Sequence, residues 1–266
     1  MFLLKKLIFK MMELGLGLRT CFSLDTKDPI FVNFKLTAEE VIRVKNVLPS
    51  GFELQPIRFL SSDESPDFWV SYNLYELKYP NPQLASIKKA RLEINTFVED
   101  PTGRKGVFVF SDSPFVSRES KRSLLGSICD FAEWLVTKIY GCGHLVDLKF
   151  SLSEELSVKF QSQGQSLKIQ GKTPEVVDSE DFKLSADYCL YNDISFFNHG
   201  KTCDYVNVNS SFHQAKFSSI GIENCEAFCE GPFFNRQPDM ILVHRGNISY
   251  LVNALNRVPR NERPHV

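Results

Sequence analysis

The stretch from Ala90 to Tyr140 constrains this chain more than any other. Ala90 to Val98 alternates apolar and polar residues. Glu99-Asp-Pro-Thr-Gly-Arg104 carries turn chemistry, and Lys105 to Pro114 alternates again. Two alternating runs joined by a Pro/Gly turn predict an antiparallel hairpin. From about Ser117 to Tyr140 the period changes. Leu124, Leu125, Ile128, Phe131, Trp134, Leu135 and Ile139 recur in steps of three and four, which predicts one long helix with a broad apolar stripe. Arg118, Glu119, Lys121 and Arg122 read as its solvated start. It ends at Gly141-Cys142-Gly143. The rest of the chain reads mainly as short strands, so the expected class is α+β, mostly β, with a sheet wrapped on or plugged by that helix.

Composition narrows the function classes. Apolar residues make up 43% of 266 and 23 residues are Phe, which suits a packed β interior and excludes a disordered chain. Net charge is −1, so the electrostatic footprint of a nucleic-acid binder is absent. The 7 cysteines are odd in number and irregular in spacing. They read as free thiols of a reducing compartment, and the expected location is cytoplasmic. Cys225-x-x-x-Cys229 lacks a second cysteine pair, so no metal site is expected. No uninterrupted apolar run is long enough to cross a bilayer, and no integral membrane segment is expected. Near the N-terminus, Lys5, Lys6, Lys10 and Glu13 break the apolar run. Residues 1–28 therefore read as a leader or amphipathic helix and not as a clean signal peptide. The sequons at Asn209 and Asn247 are then chance matches.

In chain order, Ile30 to Leu36 reads as a strand. Thr37-Ala-Glu-Glu40 is a capping-box pattern that starts a helix. Phe68 to Leu77 alternates, which puts Phe68, Val70, Tyr72, Leu74 and Glu76 on one face and Trp69, Ser71, Asn73, Tyr75 and Leu77 on the other. The first face holds the more regular apolar series, so Glu76 is expected to point inward. Lys88-Lys89 lies in a loop before the hairpin. After the long helix, Leu145 to Leu152, Leu156 to Phe160 and Ser166 to Gln170 predict a meander. Phe182 to Tyr191, Thr202 to Val208, Phe212 to Ile222, Met240 to His244 and Ile248 to Val252 read as further strands. One domain over residues 29–257 and a polar tail at 258–266 complete the expected organisation. No Gly-x-Ser-x-Gly elbow, P-loop or dinucleotide fingerprint appears.

Several short motifs, in this order, resemble one family. They are Leu48-Pro-Ser-Gly-Phe-Glu-Leu54, Tyr72-x-x-Tyr-Glu76, Arg91-Leu-Glu-Ile-Asn-Thr-Phe-Val98 and Gly106-Val-Phe-Val-Phe-Ser-Asp112. Lys138-Ile-Tyr-Gly-Cys-Gly-His144, Asp187-Tyr-Cys-Leu-Tyr191, His213 and His244-Arg-Gly-Asn-Ile-Ser249 follow. Over roughly residues 30 to 253 the chain resembles the acetoacetate decarboxylase-like superfamily, and within it the bacterial branch of decarboxylase-like proteins. The resemblance implies an antiparallel β-barrel-like fold enclosing an apolar cavity. In the decarboxylase a lysine forms an imine with a β-keto acid, its pKa lowered by a neighbouring cation and by burial. The matching run here is Gly143-His144-Leu145, without the lysine pair.

The resemblance implies a barrel binding a small, largely apolar carbonyl or carboxylic compound. Acting as a lyase, it would use acid/base chemistry without a Schiff base. Glu76 matches the family's inward carboxylate, and His144 stands where the lysine would, with a pKa near neutrality. Both are catalytic candidates. Arg91 and Glu93 share a strand face and are candidates to hold a carboxylate, with a cross-strand ion pair as the alternative. Tyr140 completes the substrate-binding set. No cofactor is expected. A small-molecule ligand is the expected partner, and the oligomeric state is open. The alternatives are a non-catalytic carrier or sensor using the same cavity, and a scaffold whose interior is filled by Phe side chains.

Overall fold

The computed structural model describes residues 22–78, 89–114, 147–152, 155–162, 165–172, 183–198, 203–220, 225–231, 233–253 and 256–258. The organising strand is β1 (Phe22–Lys35), with fourteen residues. Its pairing shifts register between Lys27 and Ile30, where Asp28 takes φ 45°. The Asp28 N–H donates to the Gly246 carbonyl at 2.8 Å. Its carboxylate accepts from the Gly246 N–H at 3.1 Å. The bend lets one edge of β1 serve two partners. Residues Phe22 to Lys27 pair with β15 (Asn247–Val252), and Ile30 to Asn33 pair with β14 (Met240–Val243). On its other edge β1 pairs with β3 (Trp69–Lys78).

From β3 the sheet continues through β4 (Lys89–Glu99) to β5 (Lys105–Pro114). Then β5 meets β9 (Ile194–Asn198), which pairs with β10 (Cys203–Ser210), which returns to β15. Seven strands thus close a barrel. The expected hairpin is β4–β5, closed by Asp100, whose carboxylate accepts from the Thr102 and Arg104 N–H groups at 2.8 and 3.0 Å. The barrel is not purely antiparallel, because β5 and β9 run the same way. The chain between them is long enough to carry β9 back to the end at which β5 starts, as a parallel pair requires.

Helix α1 (Ala38–Val47) forms the expected capping box. The Thr37 hydroxyl accepts from the Glu40 N–H, and the Glu40 carboxylate accepts from the Thr37 N–H at 2.9 Å. Strand β2 (Glu53–Leu54) pairs with Val98 and Glu99 of β4, past the stretch that pairs with β3. The expected meander is present as β6 (Asp147–Leu152), β7 (Glu155–Ser162) and β8 (Gln165–Lys172). It forms a separate sheet with β12 (Cys225–Glu230) and β13 (Asn235–Arg236). Val158, Leu167, Ile169, Ala227 and Cys229 of this sheet share a core with Phe34, Val70, Tyr72, Leu74, Leu92 and Ile94 of the barrel wall.

Three local expectations are corrected. Phe182 to Tyr191 is not a strand. Ser185 caps a short helix, α2 (Ala186–Tyr191), its hydroxyl accepting from the Tyr188 N–H at 3.0 Å. Tyr188 and Tyr191, three apart, are both buried by it. Phe212 to Ile222 splits into a single turn at Phe212–Gln214 and β11 (Ser218–Ile220), which pairs with β14. Residues 22–28, expected in the leader, form the first half of β1. The expected long helix, Ser117 to Tyr140, lies outside the described residues. Among them the helices are α1 and α2. Strand β16 (Asn256–Arg257) pairs with β10.

Candidate functional site

Register shows which face of each barrel strand looks inward. On β3, Trp69, Ser71, Asn73 and Tyr75 share a face. Across β1 they meet Phe31 and Asn33, and across β4 they meet Arg91, Glu93 and Asn95. Phe31, Trp69, Phe97, Val107 and Ile248, from five different strands, converge in one core with Tyr188 and Phe212. Strands this far apart around a closed barrel share contacts only in its interior.

The wall of this interior is polar at β1, β3 and β4. Asn33, Ser71, Asn73 and Asn95 are all buried. Ser71 Oγ donates to Asn33 Oδ1 at 2.6 Å, and Asn33 Nδ2 donates to the Phe31 carbonyl at 3.2 Å. Small barrels usually fill such positions with apolar side chains. Glu93 is directly opposite Asn73 and half-buried. Burial pushes the Tyr188 hydroxyl well above its usual value, and the charges of Cys189 and Glu93 push the same way.

The sequence-predicted residues separate. Arg91 and Glu93 occupy inward register positions two apart on β4. Glu76 shares the opposite face with Val70, Tyr72 and Leu74, the face that packs on the five-stranded sheet, and it is opposite Ala90. It is thus on the other side of the wall from Glu93. Tyr140 and His144 lie outside the described residues. Lys89, expected in a loop, is the first residue of β4 and takes the inward register position next before Arg91, opposite Leu77. The signal for it was the hairpin alternation, extended one step earlier. The amides Asn33, Asn73 and Asn95 were missed because an isolated Asn in a strand gives no motif. His244 Nδ1–H donates to the Lys216 carbonyl at 2.6 Å. Cys229 lies buried between the two sheets, and burial pushes its thiol up to about 11 against the pull of the Tyr72 hydroxyl. Among the described residues no cluster of His, Cys, Asp and Glu could hold a metal ion.

A seven-stranded mixed barrel with a polar inner wall, backed by a second sheet, defines a mostly-β barrel protein. The structure is similar to that of an acetoacetate decarboxylase-like enzyme from Sphingomonas wittichii RW1, with a TM-score of 0.53 and 10% sequence identity over 90% of this chain and 93% of that one. The chain has the acetoacetate decarboxylase-like fold, and the likeness singles out no branch of the superfamily. No protein-family model and no curated protein sequence matches it. Among the described residues no helix is long and apolar enough to cross a membrane.

Proposed function

We propose that the barrel binds a small carbonyl or carboxylic compound against its polar inner wall and acts on it by proton transfer without an imine. The observation that carries this reading is the buried set Asn33, Ser71, Asn73 and Asn95 with Glu93 among them, inside a decarboxylase-like barrel. Polar groups are retained in such a place when a ligand needs them. In this reading the Glu93 carboxyl moves the proton at the carbon beside the carbonyl. The amides orient the substrate, and Arg91 is the candidate for its carboxylate. Glu76, on the other face of β3, plays no part.

The test follows deuterium incorporation and carbon dioxide release from pyruvate, acetoacetate and phenylpyruvate in deuterium oxide. The wild-type protein is expected to turn over at least one of them, and Glu93→Gln to slow that reaction about a hundredfold while still binding. Unchanged turnover in Glu93→Gln removes the proposed chemistry. Tight binding without product after long incubation favours the carrier or sensor. Borohydride added during turnover is expected to leave the protein mass unchanged. A borohydride-dependent increase overturns the imine-free mechanism, and Lys89 is then the first lysine to substitute.

A further inference from the structure

On the inward face of β3 two buried polar atoms are left without a hydrogen-bond partner, the donor Trp69 Nε1 and the acceptor Asn73 Oδ1, and the acceptor faces Glu93 across the sheet. Asn73 is 4% exposed, and its amide oxygen has no hydrogen-bond partner. Its neighbours differ, since Asn33 and Ser71 are closed on each other and on the backbone. Buried acceptors are normally paired, and an unpaired one calls for an explanation.

Four aromatic rings form a chain that starts and ends at residues neighbouring Asn73. Phe31 is opposite Asn73 across the β1–β3 pairing. Its ring lies 5.8 Å from Phe212, and Phe212 meets Tyr250 edge-on at 5.4 Å and 84°. Tyr250 lies nearly parallel to Tyr75, at 6.4 Å and 26°. Tyr75 is the next inward residue after Asn73 on β3. On the other side, Glu93 is opposite Asn73.

We infer that this acceptor belongs to the ligand, and that the ligand is an aromatic carboxylic or carbonyl compound carrying a hydroxyl or enol. The inference rests on the reading of the barrel interior as the binding site. An acceptor needs a donor, and an unadorned keto acid offers only acceptors near neutral pH. A second carboxylate at this point would be repelled by Glu93. A hydroxyl is neutral, donates to Asn73 Oδ1 and can accept in turn. The four rings favour a flat aromatic body, which packs edge-to-face or offset against them.

Calorimetric titration of the full chain with phenyllactate, phenylpropionate and lactate tests this. The first two differ by one hydroxyl, and the first and third by the ring. Phenyllactate is expected to bind about tenfold tighter than phenylpropionate, and more than tenfold tighter than lactate. Asn73→Leu is expected to erase the hydroxyl preference while keeping the ring preference. That variant removes a buried amide oxygen that has no partner, so without ligand it should unfold at no lower temperature than the wild type. Tyr250→Leu, at a half-buried position, should do the reverse, losing ring preference and keeping hydroxyl preference. Equal affinity for phenyllactate and phenylpropionate overturns the role of Asn73. Lactate binding as well as phenyllactate overturns the aromatic class and leaves the proposed function standing. Hydroxyl and ring preference with unchanged turnover in Glu93→Gln upholds this site and removes the proposed chemistry. No binding by any of the three, in a folded protein, overturns both.

Discussion

Arg236 ties three parts of the chain through one guanidinium. Its Nε and Nη2 donate to the two Glu40 oxygens at 3.0 and 3.1 Å. Nη2 also reaches the Lys35 carbonyl at 2.7 Å, and Nη1 reaches Asp239 at 2.7 Å and the Gln237 carbonyl at 3.2 Å. Its plane lies near the rings of Phe34 and Phe234. Glu40 is nearly fully buried. Burial alone would raise its carboxyl, but the Arg236 and Thr37 hydrogen bonds outweigh burial and hold it below its ordinary value. Asp100 is depressed in the same way, burial being outweighed by bonds from Arg104 and Thr102. A folded pKa below the unfolded one gives stability that is complete above the unfolded value and lost as pH falls through the folded one. Resistance to urea should therefore fall progressively below about pH 5, and Glu40→Gln should flatten that decline. Arg236→Ala, which takes the two-pronged guanidinium partner from a buried carboxylate and leaves it the Thr37 N–H and the more distant Arg43, should cost about 2–4 kcal/mol by the same measurement near neutral pH.

At the scale of elements, the seam between β5 and β9 is the most exacting contact. A Cβ on Gly106 would lie 2.6 Å from both the Ile194 carbonyl oxygen and the Phe196 ring. The backbones approach this closely because Gly106 has no side chain. Gly106→Ala should therefore cost about 1–3 kcal/mol, read as a fall in unfolding temperature, and Gly106→Val more. The sequence disclosed the local elements well. Strict alternation and the Asp-Pro-Thr-Gly turn specify β4–β5, and Thr37 with Glu40 specifies the start of α1. It disclosed α2 badly, because Leu184, Tyr188 and Tyr191 are residues that strands also favour. The Ser185 cap was the signal that separated the two. The parallel β5–β9 pairing was not legible, since it joins residues far apart that carry no turn between them. The inner wall was hidden for a related reason. Regular apolar alternation on β3 marks the face against the second sheet, while the face carrying Ser71 and Asn73 lines the barrel.

At the scale of the whole molecule, two sheets share one wall. Phe34 of β1 and Phe234, just before β13, stack at 4.3 Å and 8°, with Tyr72 edge-on to Phe34 at 5.5 Å. Phe234→Ala should cost about 3–5 kcal/mol. Hydrogen exchange should then quicken first in β12, while the β3 and β4 amides keep their protection. The doubled edge of β1 bears on how the chain is made. Its partners β14 and β15 lie more than two hundred residues downstream, so the nascent chain leaves the ribosome with a long apolar edge and nothing to pair it. The barrel can close only when Val252 has emerged, and until then Ile30 to Phe34 is an open template for another strand. A nascent chain stalled before Met240 should accordingly be held by chaperones or aggregate. Extending it past Val252 should release it folded, as read by protease resistance on the ribosome.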